Sequence, residues 1–193
     1  MSIAIPTTAA LTARLARFPV ERVAAGAGVI AIRAAGSGRP IVMLHGIGSG
    51  AGSWIYQYEA LAAEFRLIGW DAPGYGQSSA LEGTEPDAAA YAGALAALFD
   101  ALGIGRALVV GQSLGGIIAT AFARRHPTRA AGLLLLDPAR GYGASSASER
   151  AEKLAARLDS MDRLGPIGLA AERSANLLGP NHTPEALELV RMN

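Results

Sequence analysis

Ser113 is the residue of this sequence best placed to act as a nucleophile. It sits in Gly111-Gln112-Ser113-Leu114-Gly115, which fits G-x-S-x-G. Residues 107–110 before it are a short apolar run suited to a strand buried on both faces, and residues 116–125 read as a helix ended before Pro127. A nucleophile between strand and helix occupies a strained turn that lifts its side chain above the sheet edge. Its neighbours two residues away on each side then lie almost against it, where only glycine-sized residues fit. Gly111 and Gly115 occupy both places. The plainer reading, a Gly-rich strand-to-helix turn with an incidental serine, stays open on G-x-S-x-G alone.

A serine that attacks a carbonyl creates an oxyanion, which needs backbone N–H donors fixed in advance. Leu114, next after the nucleophile, supplies one. Ile47, after the His45-Gly46 turn, is positioned to supply the other. His45 is read as bracing that loop through hydrogen bonds rather than as a base. Asp71 is read as a turn former that accepts N–H bonds within its own loop. His126 closes a helix, where a partly exposed cation complements the dipole, and His182 lies in the polar turn Pro180-Asn181-His182-Thr183.

The elements that must hold these residues follow from apolar patterning. Residues 20–24 and 29–34 form a hairpin around Gly26-Ala27-Gly28. Residues 41–44 have the continuous apolar character of an interior parallel strand, and a helix is expected over 54–65 before a strand at 66–70. Thr84-Glu85-Pro86-Asp87 reads as a helix start with Thr84 as N-cap, and Gly103 as the C′ residue. Residues 132–136 form another buried strand. Strands alternating with helices predict an α/β domain, a mostly parallel central sheet with helices on both faces. Beyond Pro138 a capping box, Ser146-Ala147-Ser148-Glu149, opens a helix whose face carries Ala151, Leu154, Leu158 and Met161. A second helix over 167–178 and a third from Thr183-Pro184 follow. These three read as a helical lid over the sheet. The organisation expected is an N-terminal segment 1–19, a core 20–140 and a lid 141–193.

In a parallel sheet the loops leaving the strand C-terminal ends share one edge, where ligands bind. Three such loops occur in order: His45-Gly46-Ile47-Gly48, then Asp71-Ala72-Pro73-Gly74-Tyr75-Gly76-Gln77-Ser78, then the serine turn. The combination H-G-x-G, D-x-P-G-x-G-x-S and G-x-S-x-G-G resembles the α/β-hydrolase fold superfamily. Within it, the sequence is similar to lidded serine hydrolases of the 3-oxoadipate enol-lactonase-like group. The resemblance covers roughly residues 20–193. It implies hydrolysis of an ester, lactone or activated carbon–carbon bond of a small molecule through an acyl-serine, without a cofactor or metal. It also implies the order Ser, Asp or Glu, His.

Here the sequence departs from that pattern. After Ser113 only His126 and His182 remain, and Asp137 and His182 are weak stand-ins for the carboxylate and base. The resemblance implies two further strand–helix units carrying Asp and then His, about 60 residues at ~30 per unit. An N-terminal fragment, inactive by itself, is therefore expected. Two other readings stand beside it. One is a non-catalytic small-molecule-binding protein on a hydrolase scaffold. The other is an NAD(P)-binding Rossmann domain, since Gly46-Ile47-Gly48-Ser49-Gly50-Ala51 satisfies G-x-G-x-x-A and Asp71 follows 20 residues later. Trp54, Tyr56 and Tyr58 speak against the last, being bulky where a pyrophosphate approaches.

Bulk properties are consistent with this. The 193 residues carry a net charge of +1, with no basic block to favour nucleic acid or an anionic membrane. Cysteine is absent, which excludes disulfides, zinc–thiolate sites and a thiol nucleophile. No apolar stretch approaches the ~20 residues of a membrane span. The N-terminus lacks the apolar core of a secretory signal, so a soluble, cytoplasmic chain is expected. Its oligomeric state is left open.

Overall fold

The apolar runs of the first 140 residues become six strands of one sheet in a computed structural model that describes residues 8–83 and 85–192. They are β1 (Val20–Ala25), β2 (Gly28–Ala35), β3 (Arg39–Leu44), β4 (Phe65–Trp70), β5 (Ala107–Gln112) and β6 (Ala130–Leu136). Their order across the sheet is β1-β2-β4-β3-β5-β6. β4, β3, β5 and β6 run parallel, while β2 runs against both its neighbours. The α/β class and the hairpin are as expected from the sequence.

Side-chain alternation sends the strands' apolar residues to two cores. Val42, Leu44, Ile68, Trp70 and Val109 face one cluster, and Ile41, Met43, Leu67 and Val110 face the other. The first cluster is closed by α3 (Ala88–Ala101) through Leu95 and Phe99, and by α4 (Leu114–Arg125) through Ile118 and Phe122. The second is closed by Trp54 and by Tyr58 of α2 (Ile55–Leu61), with Phe18 following the short α1 (Thr8–Leu15). Helices thus cover both faces, as strands buried on two sides require.

Four local expectations are corrected. The helix expected over 54–65 is a 3₁₀ turn, Ala51–Trp54, followed by the seven residues of α2. The helix expected from Gly116 begins at Leu114, immediately after Ser113. The N-cap of α3 is Asp87, whose Oδ1 accepts the Ala90 N–H at 2.8 Å. It precedes Ala88 directly, so Pro86 lies outside the helix. Thr84, expected in that role, lies outside the described residues. Lastly, β6 is an edge strand and is not buried. Among the described residues only β5 pairs with it, and Leu133, Leu134, Leu135 and Leu136 are 39–48% exposed.

Among the described residues, 14–140 form one compact unit, and 8–13 with 141–192 form another. The second contains α5 (Ala147–Arg173), a 3₁₀ turn Ser174–Leu177, and α6 (Pro184–Met192). The capping box at Ser146 forms, with the Glu149 amide donating to Ser146 Oγ at 3.2 Å and the Ser146 amide to Glu149 Oε2 at 2.9 Å. Thr183 caps α6 by accepting the Ala186 N–H at 3.1 Å, with Pro184 in the first helical position. The expected break near residue 167 is a kink inside α5, at Gly165 (φ 61, ψ 179). Leu154, Leu158 and Met161 share a helical face, yet each is more than half exposed.

Candidate functional site

β3 leads to β4 on one side and is bordered by β5 on the other, so the chain's path across the sheet reverses beside it. In open α/β sheets the strand C-terminal ends at such a reversal form a ligand crevice. The three loops converge there.

At the end of β5, Ser113 has φ 51 and ψ −113, a backbone that residues with a Cβ rarely adopt. Three hydrogen bonds hold it. The Ser113 N–H donates to Leu136 O at 3.1 Å, and Ser113 O accepts from Gly116 N at 2.9 Å and Ala139 N at 3.1 Å. The flanking glycines are enforced by contact. A Cβ on Gly111 would lie 2.4 Å from Gly115 O, and one on Gly115 would lie 2.1 Å from Leu44 O and 2.9 Å from His45 O. The start of α4 thus packs on the end of β3 at backbone distance.

The first loop lies against this turn. A Cβ on Gly46 would sit 2.4 Å from Gln112 Oε1 and 3.1 Å from Ser113 Cβ. Beyond it, the Ile47 side chain is 45% exposed and Gly48 has φ +70.

His45 is buried beneath the loop. Its Nε2 lies 3.0 Å from the Ala72 amide, and its Nδ1 lies 2.8 Å from Gly46 O. A backbone N–H can only donate, so Nε2 is the bare nitrogen and Nδ1 carries the proton to Gly46 O. Tyr75 closes the ring's surroundings edge-on, at 5.0 Å between centroids.

Burial outweighs the Gly46 hydrogen bond and the Asp71 charge, so the His45 pKa is lowered from its ordinary 6.5. A histidine with a folded pKa below its unfolded value contributes stability that is complete above about pH 6.5 and is lost as pH falls through the folded pKa. Urea unfolding midpoints of the wild type should therefore drop more steeply below about pH 6.5 than those of His45→Gln. Parallel profiles would show that His45 is not held neutral.

Asp71, also buried, departs from its expected role. Its Oδ1 accepts the Ala51 N–H at 2.8 Å, so it serves the far end of the first loop rather than its own. Within its own loop, Asp71 O accepts the Ser78 hydroxyl at 2.6 Å, and Ser78 Oγ accepts the Ala31 N–H at 2.8 Å. Gly76, at φ +50, passes so close that a Cβ there would lie 2.2 Å from Asp71 Oδ2. These ties were missed in the sequence, although the Asp and Ser of D-x-P-G-x-G-x-S were their signal. A ribose-binding role for Asp71 would need this carboxylate free of the first loop.

The histidines of the core unit are committed elsewhere. His126 follows the 12 residues of α4, roughly 18 Å of helix from Ser113, and packs on Phe122 at 5.2 Å. Asp137 follows β6 with φ 42. His182 belongs to the other compact unit, where its Nδ1 lies 2.9 Å from Gly179 O. Among the described residues, no histidine or carboxylate is hydrogen-bonded to the Ser113 hydroxyl, and no helix is long and apolar enough to cross a membrane.

Residues 39–174 match the family model of the alpha/beta hydrolase fold. The chain belongs to this family. Among curated members, it is 42% identical over 115 residues to the 2-hydroxy-6-oxo-6-phenylhexa-2,4-dienoate hydrolase of Burkholderia cepacia, covering 58% of this chain and 40% of that one. The alpha/beta hydrolase structures it resembles include a thermophilic esterase from Thermogutta terrifontis. That match has a TM-score of 0.74 at 32% identity, over 90% of this chain and 65% of the esterase. Another is Est816, described as an N-acyl homoserine lactone degrading enzyme. It matches with a TM-score of 0.66 at 28% identity, over 89% of this chain and 64% of that protein. The chain spans about two-fifths of the length of the curated relatives it matches.

Proposed function

We propose that Ser113 is the nucleophile of a hydrolase acting on an ester, lactone or activated carbon–carbon bond of a small molecule. The observation that carries this reading is the Ser113 backbone, at φ 51 in a strand-to-helix turn, with the Gly46 backbone packed against its Cβ. In the proposed reaction Ser113 Oγ attacks the substrate carbonyl as its hydroxyl proton passes to a base or to solvent, and the N–H groups of Ile47 and Leu114 donate hydrogen bonds to the oxygen that becomes negative. Collapse of the tetrahedral intermediate expels the leaving group and leaves an acyl-serine for water to hydrolyse. Relatives named as a dienoate hydrolase, an esterase and a lactone-degrading enzyme support this breadth of carbonyl substrates.

The general base and its orienting carboxylate are not provided by the core unit, so residues 1–193 are proposed to be a slow catalyst. Covalent labelling tests the nucleophile without requiring turnover. A fluorophosphonate in excess at alkaline pH should form one adduct per chain. The Ser113 Oγ–P bond replaces the P–F bond, fluoride leaves, and the hydroxyl proton passes to solvent. Peptide mapping should find the adduct on Ser113, and Ser113→Ala should take none. In a longer reading frame that supplies the base, a folded wild type that stays unlabelled would favour the binding scaffold over the enzyme.

A further inference from the structure

Asp71 and Ala72 are consecutive, and between them they hold both ends of the first loop. The Ala72 N–H donates to His45 at its start, and the Asp71 carboxylate accepts from Ala51 at its finish. Only the middle, with exposed Ile47 and positive-φ Gly48, lacks such a tie to the second loop. Asp71 is itself fixed from two sides. Its N–H donates to Ala31 O at 2.8 Å, and its carbonyl accepts from Ser78 Oγ, whose oxygen in turn accepts from Ala31 N. The edge of β2 is thereby wired to the loop beside the nucleophile through one carboxylate.

The Ala51 carbonyl is held separately, by the Tyr58 hydroxyl at 2.9 Å. The N–H of Ala51 therefore depends on Asp71 alone for its partner, and a buried amide without one is costly. Losing the carboxylate would free the loop to move toward a different acceptor or toward water. A displacement of about 1 Å is enough to spoil an oxyanion donor.

We propose that Asp71 is a positioning residue, whose carboxylate fixes the 45–51 loop so that the Ile47 N–H stays beside Ser113. This rests on reading Ser113 as the nucleophile. The test compares wild type, Asp71→Ala and Asp71→Asn, the last of which keeps an acceptor oxygen for Ala51. Two quantities are read: the rate of Ser113 phosphonylation by a fluorophosphonate, and hydrogen exchange at the Ala51 amide. Asp71→Ala should be labelled at least about tenfold more slowly, since loss of an oxyanion donor costs roughly 10²–10³ in rate and here one is displaced. Its Ala51 amide should exchange about tenfold faster or more, and Asp71→Asn should recover most of both.

A folded Asp71→Ala labelled at the wild-type rate would overturn the positioning role alone. A wild type extended to include the base that still takes no label would remove the nucleophile and the positioning role together, so the two failures are separable. Should Asp71→Ala not fold, Gly76→Ala serves in its place. It presses a methyl onto Asp71 Oδ2 while leaving the carboxylate present. If its Ala51 amide exchanges faster, showing the tie broken, labelling of that variant at the wild-type rate would also overturn the proposal.

Discussion

Gly115→Ala should destabilise the protein by on the order of 3 kcal/mol, the upper part of the range for overpacked sites. The added Cβ would meet Leu44 O at 2.1 Å and His45 O at 2.9 Å. Both are backbone atoms, at and just after the end of β3, and cannot rotate away as a side-chain tip could. Relief requires α4 to withdraw from the sheet, which pulls Ile118 and Phe122 from the core they fill. A loss of that size is a large share of the ~5–15 kcal/mol that holds a domain of this kind together. Gly93→Ala is the matched control. Gly93 lies inside α3, and a Cβ there meets nothing within 4 Å, so the same substitution should stabilise by about 0.5–1 kcal/mol. Urea titration of the two variants should shift the midpoint in opposite directions. Equal shifts would mean that α4 does not rest on β3 as closely as described.

The second large effect concerns turnover. An unassisted serine hydroxyl is a weak nucleophile at neutral pH and needs a base within hydrogen-bond reach. In the core unit, His45 spends both ring nitrogens on backbone groups, and His126 lies at the far end of α4. Hydrolysis of p-nitrophenyl acetate by residues 1–193 should therefore be slow, and Ser113→Ala should differ little from it. Oxyanion donors alone leave roughly 10³-fold acceleration over water in serine hydrolases stripped of their triad. A longer reading frame that adds a carboxylate and then a histidine should be faster by about 10³-fold or more, and there Ser113→Ala should remove that gain. Efficient turnover by residues 1–193 that Ser113→Ala abolishes would place a base within the chain, and His182 would be the first to replace.

Much of this site was legible because its requirements are local. Gly111, Ser113 and Gly115 are spaced as one turn demands, and apolar runs flank them, so both the turn and its place at a strand end follow from sequence. The order of the three loops was equally readable, since parallel strands put their C-terminal ends at one edge. What escaped depends on partners distant in sequence. Asp71 looked like a turn former because its nearest N–H groups are its own, whereas the amide it takes is 20 residues earlier. Leu133 to Leu136 looked buried because an apolar run carries no sign of its position in the sheet, and among the described residues β6 is the last strand in the order. Trp54 looked helical, yet Ala51–Trp54 winds as a 3₁₀ turn, bound at its start to Asp71 by the Ala51 amide.

The conformation of Ser113 also bears on why serine rather than glycine stands there. A residue with a Cβ at φ 51 and ψ −113 costs about 1–3 kcal/mol relative to one at ease there. Glycine would adopt the same angles without that penalty. A sequence shaped by stability alone would favour glycine at 113. Serine there is thermodynamically the worse choice, which the proposed use of its hydroxyl as a nucleophile would account for. A ligand-binding descendant that had given up chemistry would be under no such obligation, and position 113 is where its release would first be visible.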